Sequence, residues 1–147
     1  MDCKKALEQG DGDVERAQEI LREQGIASAA KKASRDTEEG IVESYIHGGG
    51  RVGALVELNC ETDFVARTGD FKELAHEIAM QVAAMSPKYV SEDDVPKEED
   101  VSEDEILISQ NFIRDPALTI NDLIKEAIGK LGENIQIRRI ARFSLGE

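Results

Sequence analysis

The chain has 147 residues, of which 40% are hydrophobic and 33% are charged, and its formal net charge is −13. This length suits one ordinary domain, or one domain with a small satellite, and the apolar fraction is sufficient for a core, which argues against wholesale disorder. The excess of acid argues against duplex nucleic acid and anionic membrane as partners, because both require concentrated Lys and Arg.

Two short helices are predicted at the start of the chain. The first spans about residues 2–9, and the second follows Asp13, whose side chain can cap it, and ends at Gly25. Two helices of this length bury little apolar surface, so we expect part of this unit to be missing upstream. Residues 26–40, rich in Ala, Lys and Ser, are interpreted as a helical or extended linker to a second unit.

The second unit begins with a predicted antiparallel hairpin. Residues 41–47 and 52–58 alternate with the period of a strand, and residues 48–51 supply glycines for the turn between them. Residues 48–53 also contain a literal GxGxxG. A dinucleotide site needs a helix after these glycines, and here a second strand follows, so the hairpin turn is the better interpretation.

The middle of the chain is predicted to hold a helix and an acidic linker. The helix starts at Asp70, with Glu73 completing a capping box, and ends before Pro87. Residues 91–105 contain nine acids and one lysine, without the spacing of a calcium loop, and are interpreted as solvated linker. The apolar residues 106–113 that follow are predicted to be extended.

The last predicted elements are a helix over residues 120–131, closed by Gly132, and a strand over about residues 135–145. Alternate residues of the strand are expected to share an apolar face: Ile135, Ile137, Ala141, Phe143 and Leu145. Arg138 and Arg142 are expected to point the other way. Because Arg139 interrupts the apolar face, a bulge or an edge position is predicted there.

These elements predict an α+β fold, in which a three-stranded antiparallel sheet has helices on one side and follows a small helical module. The module is placed at residues 1–25, the linker at residues 26–40 and the core domain at residues 41–147. No signal peptide or long apolar run is evident, and two cysteines are too few for a disulfide framework. A reducing, soluble compartment is therefore expected.

No constellation of residues supports catalysis, and no cofactor or metal site is indicated. Cys60 could be drawn beside His47 or His76 as a nucleophile and its base. However, Cys60 ends a strand with a buried pattern, where an inert packed thiol is expected. His76 lies beside the apolar stripe of its helix and is interpreted as structural.

The most informative segment is the connection at residues 60–67, called here the Phe64 turn. It places Phe64 between an acid, Asp63, and a base, Arg67, in a chain that is 4% aromatic. Two interpretations are open on local sequence. The ring is either tucked into the core, or it is an exposed anchor for a partner's pocket, with Asp63 and Arg67 fixing its register.

Four segments, in this order along the chain, resemble the translation elongation factor Ts family of bacteria and organelles: residues 1–7, 56–67, 78–84 and 130–139. The ordered set is specific and the similarity covers nearly all of the chain. It implies a guanine-nucleotide exchange factor for elongation factor Tu, with a ubiquitin-associated-like helical module, truncated here, before a core with a three-stranded antiparallel sheet. The alternative is a non-exchanging binding or structural module, such as a degenerate or ribosome-associated relative.

The resemblance also implies which residues meet the GTPase domain of elongation factor Tu. They are Thr62, Asp63, Phe64, Val65, Lys4, Lys5 and Gln81. Asp63 and Phe64 match the pair that wedges into that domain and disturbs its magnesium and phosphate region, so that GDP leaves. Lys4 and Lys5 match a module segment that touches the same domain, and Gln81 stands where some members have a partner-contacting histidine.

The sequence departs from the family pattern in three further places. The family's lead and first helix before Met1 are absent, and so is helical sequence that members usually carry between residues 91–105 and residues 106–113. A homodimer is therefore left open. Asn111 replaces a common proline. The expected location is the cytoplasm, or an organellar matrix or stroma, and neither direct nucleic-acid binding, membrane binding nor enzymatic activity is expected.

Overall fold

The computed structural model describes residues 2–147. The helices are α1 (Asp2–Gln9), α2 (Val14–Lys32), α3 (Asp63–Ala66), α4 (Gly69–Met85) and α5 (Ile120–Leu131). The strands are β1 (Glu39–Ile46), β2 (Val52–Cys60), β3 (Asn111–Phe112), β4 (Asp115–Thr119) and β5 (Ile135–Ser144). Short 3-10 turns lie at Glu92–Asp94, Glu103–Glu105 and Leu107–Ser109. Within residues 2–147, no helix combines the length and the apolar character needed to cross a membrane.

A three-stranded antiparallel sheet in the order β1-β2-β5 is the centre of the fold, which confirms the α+β prediction. The β1–β2 turn is closed by His47, whose N–H donates to the Val52 carbonyl over 2.9 Å. Gly49 and Gly50 have φ angles of 85° and 69°, which side chains with a Cβ rarely adopt. The glycines therefore serve the hairpin turn, as the sequence predicts.

Strand β5 contains the bulge predicted at Arg139. Leu58 of β2 pairs with Ile137, whereas the preceding Glu57 pairs with Arg139, so Arg138 is the extra residue on β5. Strand β5 also lies at the edge of the sheet. One inserted residue shifts the two-residue period of the side chains by one position.

Beyond the bulge, the predicted faces of β5 are wrong. Phe143 is 78% exposed rather than packed in the core. Arg142 instead turns toward helix α4, where its Nε donates to the Ala83 carbonyl over 3.1 Å. The strict alternation expected over residues 135–145 holds only up to Ile137, because the bulge exchanges the two faces after that residue.

Helices α4 and α5 cover one face of the sheet and bury the main apolar cluster between them. The opposite face, called here the outer sheet face, carries exposed apolar side chains at 46% to 78% exposure: Val42, Ile46, Leu55, Phe143 and Leu145. Contiguous apolar surface of this kind is typical of an interaction site.

Helix α2 does not end at Gly25 as predicted but continues to Lys32. Gly25 lies against α5, where a Cβ on Gly129 would stand 2.9 Å from the Gly25 Cα. The glycine is thus used for close helix packing rather than as a stop. Ala29 joins the main cluster beside the sheet, whereas Ile20 packs with the residues of α1. The division into a module, a linker and a core domain stays a prediction.

Two other local predictions need correction. Helix α4 is capped by Thr68, whose hydroxyl accepts from the Phe71 N–H over 3.2 Å, and Asp70 lies in its first turn. The predicted capping box of Asp70 and Glu73 is therefore wrong. Residues 106–113 are not one extended segment, since a 3-10 turn is followed by β3, which pairs with β4 in a second small sheet. Helix α5 and its Gly132 cap are as predicted.

Candidate functional site

Phe64 lies on the solvent side of the Phe64 turn and is 81% exposed. It lies on helix α3, a single turn between strand β2 and helix α4. The two neighbours that follow it on this helix, Val65 and Ala66, are 5% and 1% exposed. The same short helix therefore anchors itself in the core and presents an aromatic ring to solvent, which excludes the interpretation that the ring is tucked inside.

Thr62 begins helix α3 and ties it to the rest of the fold. Its hydroxyl oxygen accepts from the Val65 N–H over 3.3 Å, as an N-cap does. The same hydroxyl donates to Glu133 Oε2 over 2.6 Å. Helix α3 is followed at once by α4, because Thr68 donates its hydroxyl proton to the Val65 carbonyl over 2.7 Å and caps α4.

Glu133, on the loop between α5 and β5, holds the start of the Phe64 turn. Its Oε1 accepts from the backbone N–H groups of Glu61 and Thr62 over 3.1 and 3.0 Å, in addition to the Thr62 hydroxyl on Oε2. A carboxylate can accept several such bonds, and hydrogen bonds to a charged group are stronger than neutral ones.

Glu61 makes the reciprocal contact. Its Oε2 accepts from the Asn134 backbone N–H over 2.7 Å and lies 3.5 Å from Arg35 Nη1. The Asn134 side chain, 2% exposed, donates to the Arg35 carbonyl over 2.9 Å. Two loops far apart in sequence and the segment after α2 thus meet directly behind the Phe64 turn.

Asp63 stands beside Phe64 on the exposed side of helix α3. Its carboxylate pairs with Arg67 Nη2 over 2.6 Å, and the two side chains are 55% and 78% exposed. An ion pair this open to water contributes little to stability. The pair instead keeps an acid and a base available next to the exposed ring, and either can exchange its partner for a group on another protein.

The remaining residues named from the sequence lie on other elements. Lys4 and Lys5 are exposed on helix α1, which packs against α2. Gln81, on α4, is fully buried: its amide nitrogen donates to the Asn111 carbonyl over 3.0 Å, and its oxygen accepts from the Ile113 N–H over 3.0 Å. Gln81 therefore fixes the segment around β3 through hydrogen bonds, and Val65 packs in the core. Phe64 and Asp63, by contrast, face solvent.

Cys60 is fully buried at the end of β2, and its thiol donates to the Thr62 carbonyl over 3.2 Å. Burial, with a smaller effect from the Glu133 carboxylate, raises the pKa of the Cys60 thiol to about 11. The thiol is therefore protonated near neutral pH, as an inert packed cysteine would be. Among residues 2–147, no group of three or more His, Cys, Asp and Glu side chains is placed to bind a metal ion.

The role of Glu133 was not predicted from the sequence. The residue follows the Gly132 cap in a polar loop and lies within the family-like segment 130–139, but neither feature indicates a contact with the Phe64 turn. Only the pairing of β2 with β5, which brings residues 60 and 135 opposite each other, places this carboxylate beside the Phe64 turn.

Comparison with known proteins gives a consistent result. A family model described as Elongation factor TS matches residues 13–115. The Elongation factor Ts of Carboxydothermus hydrogenoformans is 50% identical over 178 aligned positions, covering 100% of this chain and 82% of the relative. That of Caldanaerobacter subterraneus subsp. tengcongensis is also 50% identical, with 89% of the relative covered. That of Methylacidiphilum infernorum is 47% identical, with 88% covered.

The first alignment runs over 178 positions although this chain has 147 residues, so the relative holds additional residues within the matched span. The matches nevertheless cover the full length of this chain, including the Phe64 turn and Glu133. The chain therefore belongs to the elongation factor Ts family of translation elongation factors.

Proposed function

We propose that this protein is a guanine-nucleotide exchange factor that promotes release of GDP from elongation factor Tu during translation. The observation that carries the proposal is the exposed Phe64 ring, at 81% exposure, on a turn held by core residues and by Glu133. A site on rigid supports can place a side chain accurately in a partner. Membership in the elongation factor Ts family is the reason for proposing elongation factor Tu as the partner.

In this proposal, Phe64 enters the GTPase domain of elongation factor Tu as an apolar wedge, and Asp63 makes a polar contact beside it. Both act on the region that holds the magnesium ion and the GDP phosphates. By thermodynamic reciprocity, the factor weakens GDP binding by the same ratio by which GDP weakens binding of the factor. Lys4 and Lys5 on helix α1 provide a second, charged contact with the same domain. No covalent chemistry is required, so the protein is proposed not to be an enzyme.

The test measures release of a fluorescent GDP analogue from elongation factor Tu. The wild-type protein is expected to accelerate release, and the variant with Asp63→Ala and Phe64→Ala is expected to lose most of this effect. Arg16→Ala, which removes an exposed charge on helix α2 paired with Glu19 over 2.9 Å, is the control and should behave as wild type. Equal release rates with the double variant and the wild type would refute the role of the wedge.

A second candidate is a binding module that does not exchange nucleotide. It is favoured by the additional residues that the relatives carry within the aligned span, 178 positions against 147 residues here. Tight binding to elongation factor Tu, or to ribosomes, with an unchanged rate of GDP release would select this candidate. In either case the proposed location is the cytoplasm, without contact to a membrane, and the exchange factor is proposed to make no direct contact with nucleic acid.

We also propose that a second copy of this chain covers the outer sheet face. The chain as a whole carries a net charge of −13 and repels itself. The outer sheet face is different, because Glu57 pairs with Arg139 over 2.8 Å beside the apolar residues, so both signs of charge are present. Such a face can pair with itself across a two-fold axis.

Sedimentation velocity over a range of concentrations tests this pairing. The wild type is expected to form a dimer, and Phe143→Ser is expected to weaken it at least roughly tenfold, in line with the loss of a buried aromatic anchor. Met85→Ser, at an apolar site that is 48% exposed at the end of α4, is the matched control. A monomer at every concentration would refute the proposal.

A further inference from the structure

We propose that Glu133 is a positioning residue for the Phe64 wedge and sets the efficiency of nucleotide exchange without touching the partner. The inference rests on the exchange function proposed above. It concerns a residue outside the Phe64 turn, 72 residues along the chain from Glu61. Three donors of the turn converge on its one carboxylate: the Glu61 and Thr62 N–H groups and the Thr62 hydroxyl.

The Phe64 turn needs this support because it has little of its own. Strand β2 ends at Cys60, so the N–H groups of Glu61 and Thr62 lie between the strand ladder and helix α3. Helix α3 has four residues, and a single turn of helix is not stable alone. Without the Glu133 carboxylate, the Glu61 and Thr62 N–H groups would form hydrogen bonds with water instead. The orientation of helix α3 would then no longer be fixed.

The attachment is specific in length as well as in charge. Glu133 reaches across from the α5–β5 loop with both oxygens engaged, Oε1 with two N–H groups and Oε2 with the Thr62 hydroxyl. The Asn134 N–H returns a bond of 2.7 Å to Glu61, so the two loops are joined in both directions. A side chain one methylene shorter cannot span the same distance, even if it keeps the charge.

This arrangement predicts how Glu133 affects exchange. A wedge that is already ordered loses less conformational entropy when it enters the partner, which lowers the cost of binding. Loss of the attachment is therefore expected to raise the concentration of factor needed for half-maximal exchange, and to lower the maximal rate when the ring enters in several orientations. The free energy of unfolding should change less than the exchange activity, because the stability of the core does not depend on this loop alone.

Three variants separate positioning from charge. Glu133→Gln keeps the length and an acceptor oxygen, Glu133→Asp keeps the charge but is shorter, and Glu133→Ala keeps neither. If Glu133 acts by positioning the turn, kcat/KM for exchange should be highest in the wild type, intermediate in the Glu133→Gln variant, and lowest in the Glu133→Asp and Glu133→Ala variants. The Glu133→Ala variant should be reduced roughly tenfold or more. A purely electrostatic effect on the partner predicts that Asp matches the wild type and that Gln matches Ala.

Two further measurements complete the experiment. Hydrogen exchange of the Glu61 and Thr62 amides in the free protein should be slow in the wild type, faster in Glu133→Gln and fastest in Glu133→Ala. Glu73→Ala removes an exposed acid on helix α4 and should match the wild type in both assays. Thermal unfolding identifies any variant whose core is lost, and the Gln and Asp variants then decide the question.

The outcomes also separate this inference from the function on which it rests. If the wild-type protein does not accelerate GDP release, the proposed exchange function is refuted. Protection of the Glu61 and Thr62 amides from hydrogen exchange would still show whether Glu133 binds the Phe64 turn. If the wild type is active and Glu133→Asp equals or exceeds Glu133→Gln, the positioning role is refuted. Wild-type exchange by Glu133→Ala would refute it as well.

Discussion

Replacement of Phe64 by Ala should separate function from stability in this protein. The ring is 81% exposed, so its removal leaves no cavity, and the free energy of unfolding should change by no more than about 0.5 kcal/mol. The buried Phe71, on the next helix, is 0% exposed. Phe71→Ala should destabilise the protein by about 3 to 5 kcal/mol, which provides the contrast.

The effect of Phe64→Ala on exchange follows from the area that the ring can bury in a partner. Truncation to Ala removes about 120 Å² of apolar surface, which at about 25 cal/mol per Å² corresponds to about 3 kcal/mol. Ordering of the ring on binding offsets about 1 kcal/mol of this. About 2 kcal/mol remains, which corresponds to roughly a 30-fold loss in kcat/KM for GDP release.

The assay is stopped-flow release of fluorescent GDP from elongation factor Tu, together with urea unfolding of each variant. Met85→Ala is the matched control, because Met85 is 48% exposed and lies at the far end of helix α4, about 24 Å from its start. It should leave exchange unchanged. The reasoning is refuted if Phe64→Ala keeps kcat/KM within threefold of the wild type, or if its loss of exchange merely follows a loss of stability.

Three further changes probe the fold. Gly129→Ala, which would place a Cβ 2.9 Å from the Gly25 Cα, should loosen α2 from α5 and lower the melting temperature by several degrees; an unchanged value would contradict the close packing. Ser86→Gly should stabilise the protein by about 0.5 to 1 kcal/mol in urea unfolding, because Ser86 has a φ of 52° at the α4 C-cap. Since the pKa of Cys60 rises from 9.0 to about 11 on folding, its contribution to the unfolding free energy is present below pH 9 and is lost as the pH rises toward 11. Cys60→Ala should flatten that pH dependence, and an equally steep profile would contradict it. At pH 8 a thiol reagent should label the exposed Cys3 quickly and Cys60 slowly, with equal rates as the contradicting result.

The parts of the fold that follow from local patterns were predictable. Helix α5 has a regular apolar stripe closed by Gly132, and the glycines at 48–50 mark a hairpin. The errors arise where distant parts of the chain meet. By its local preference, Gly25 is expected to end helix α2. Instead, α2 continues past Gly25, which packs closely against α5. In β5, the sequence located the bulge, yet the inversion of the faces beyond it left Phe143 outside the core.

The candidate site shows the same division. The position of Phe64 between an acid and a base made it a candidate. Its exposure does not follow from the local sequence, because it depends on the packing of Val65 and Ala66 in the core. Glu133 could not be predicted, because its role depends on strand pairing that joins two loops. Gln81 was named as a contact residue only because the family resemblance implies it, whereas in the structure the buried Gln81 side chain forms hydrogen bonds with the segment around β3.

Helix α2 also determines where the chain can be cut. Its first half contributes Ala17 and Ile20 to one apolar cluster, and its second half contributes Ala29 to the other. Neither cluster can melt without disturbing the same continuous helix, so the two should unfold in a single cooperative transition. A fragment that starts at residue 41 would lose Ala29 and uncover the surface of α5 around Gly129. The smallest piece that folds like the intact protein therefore includes α2.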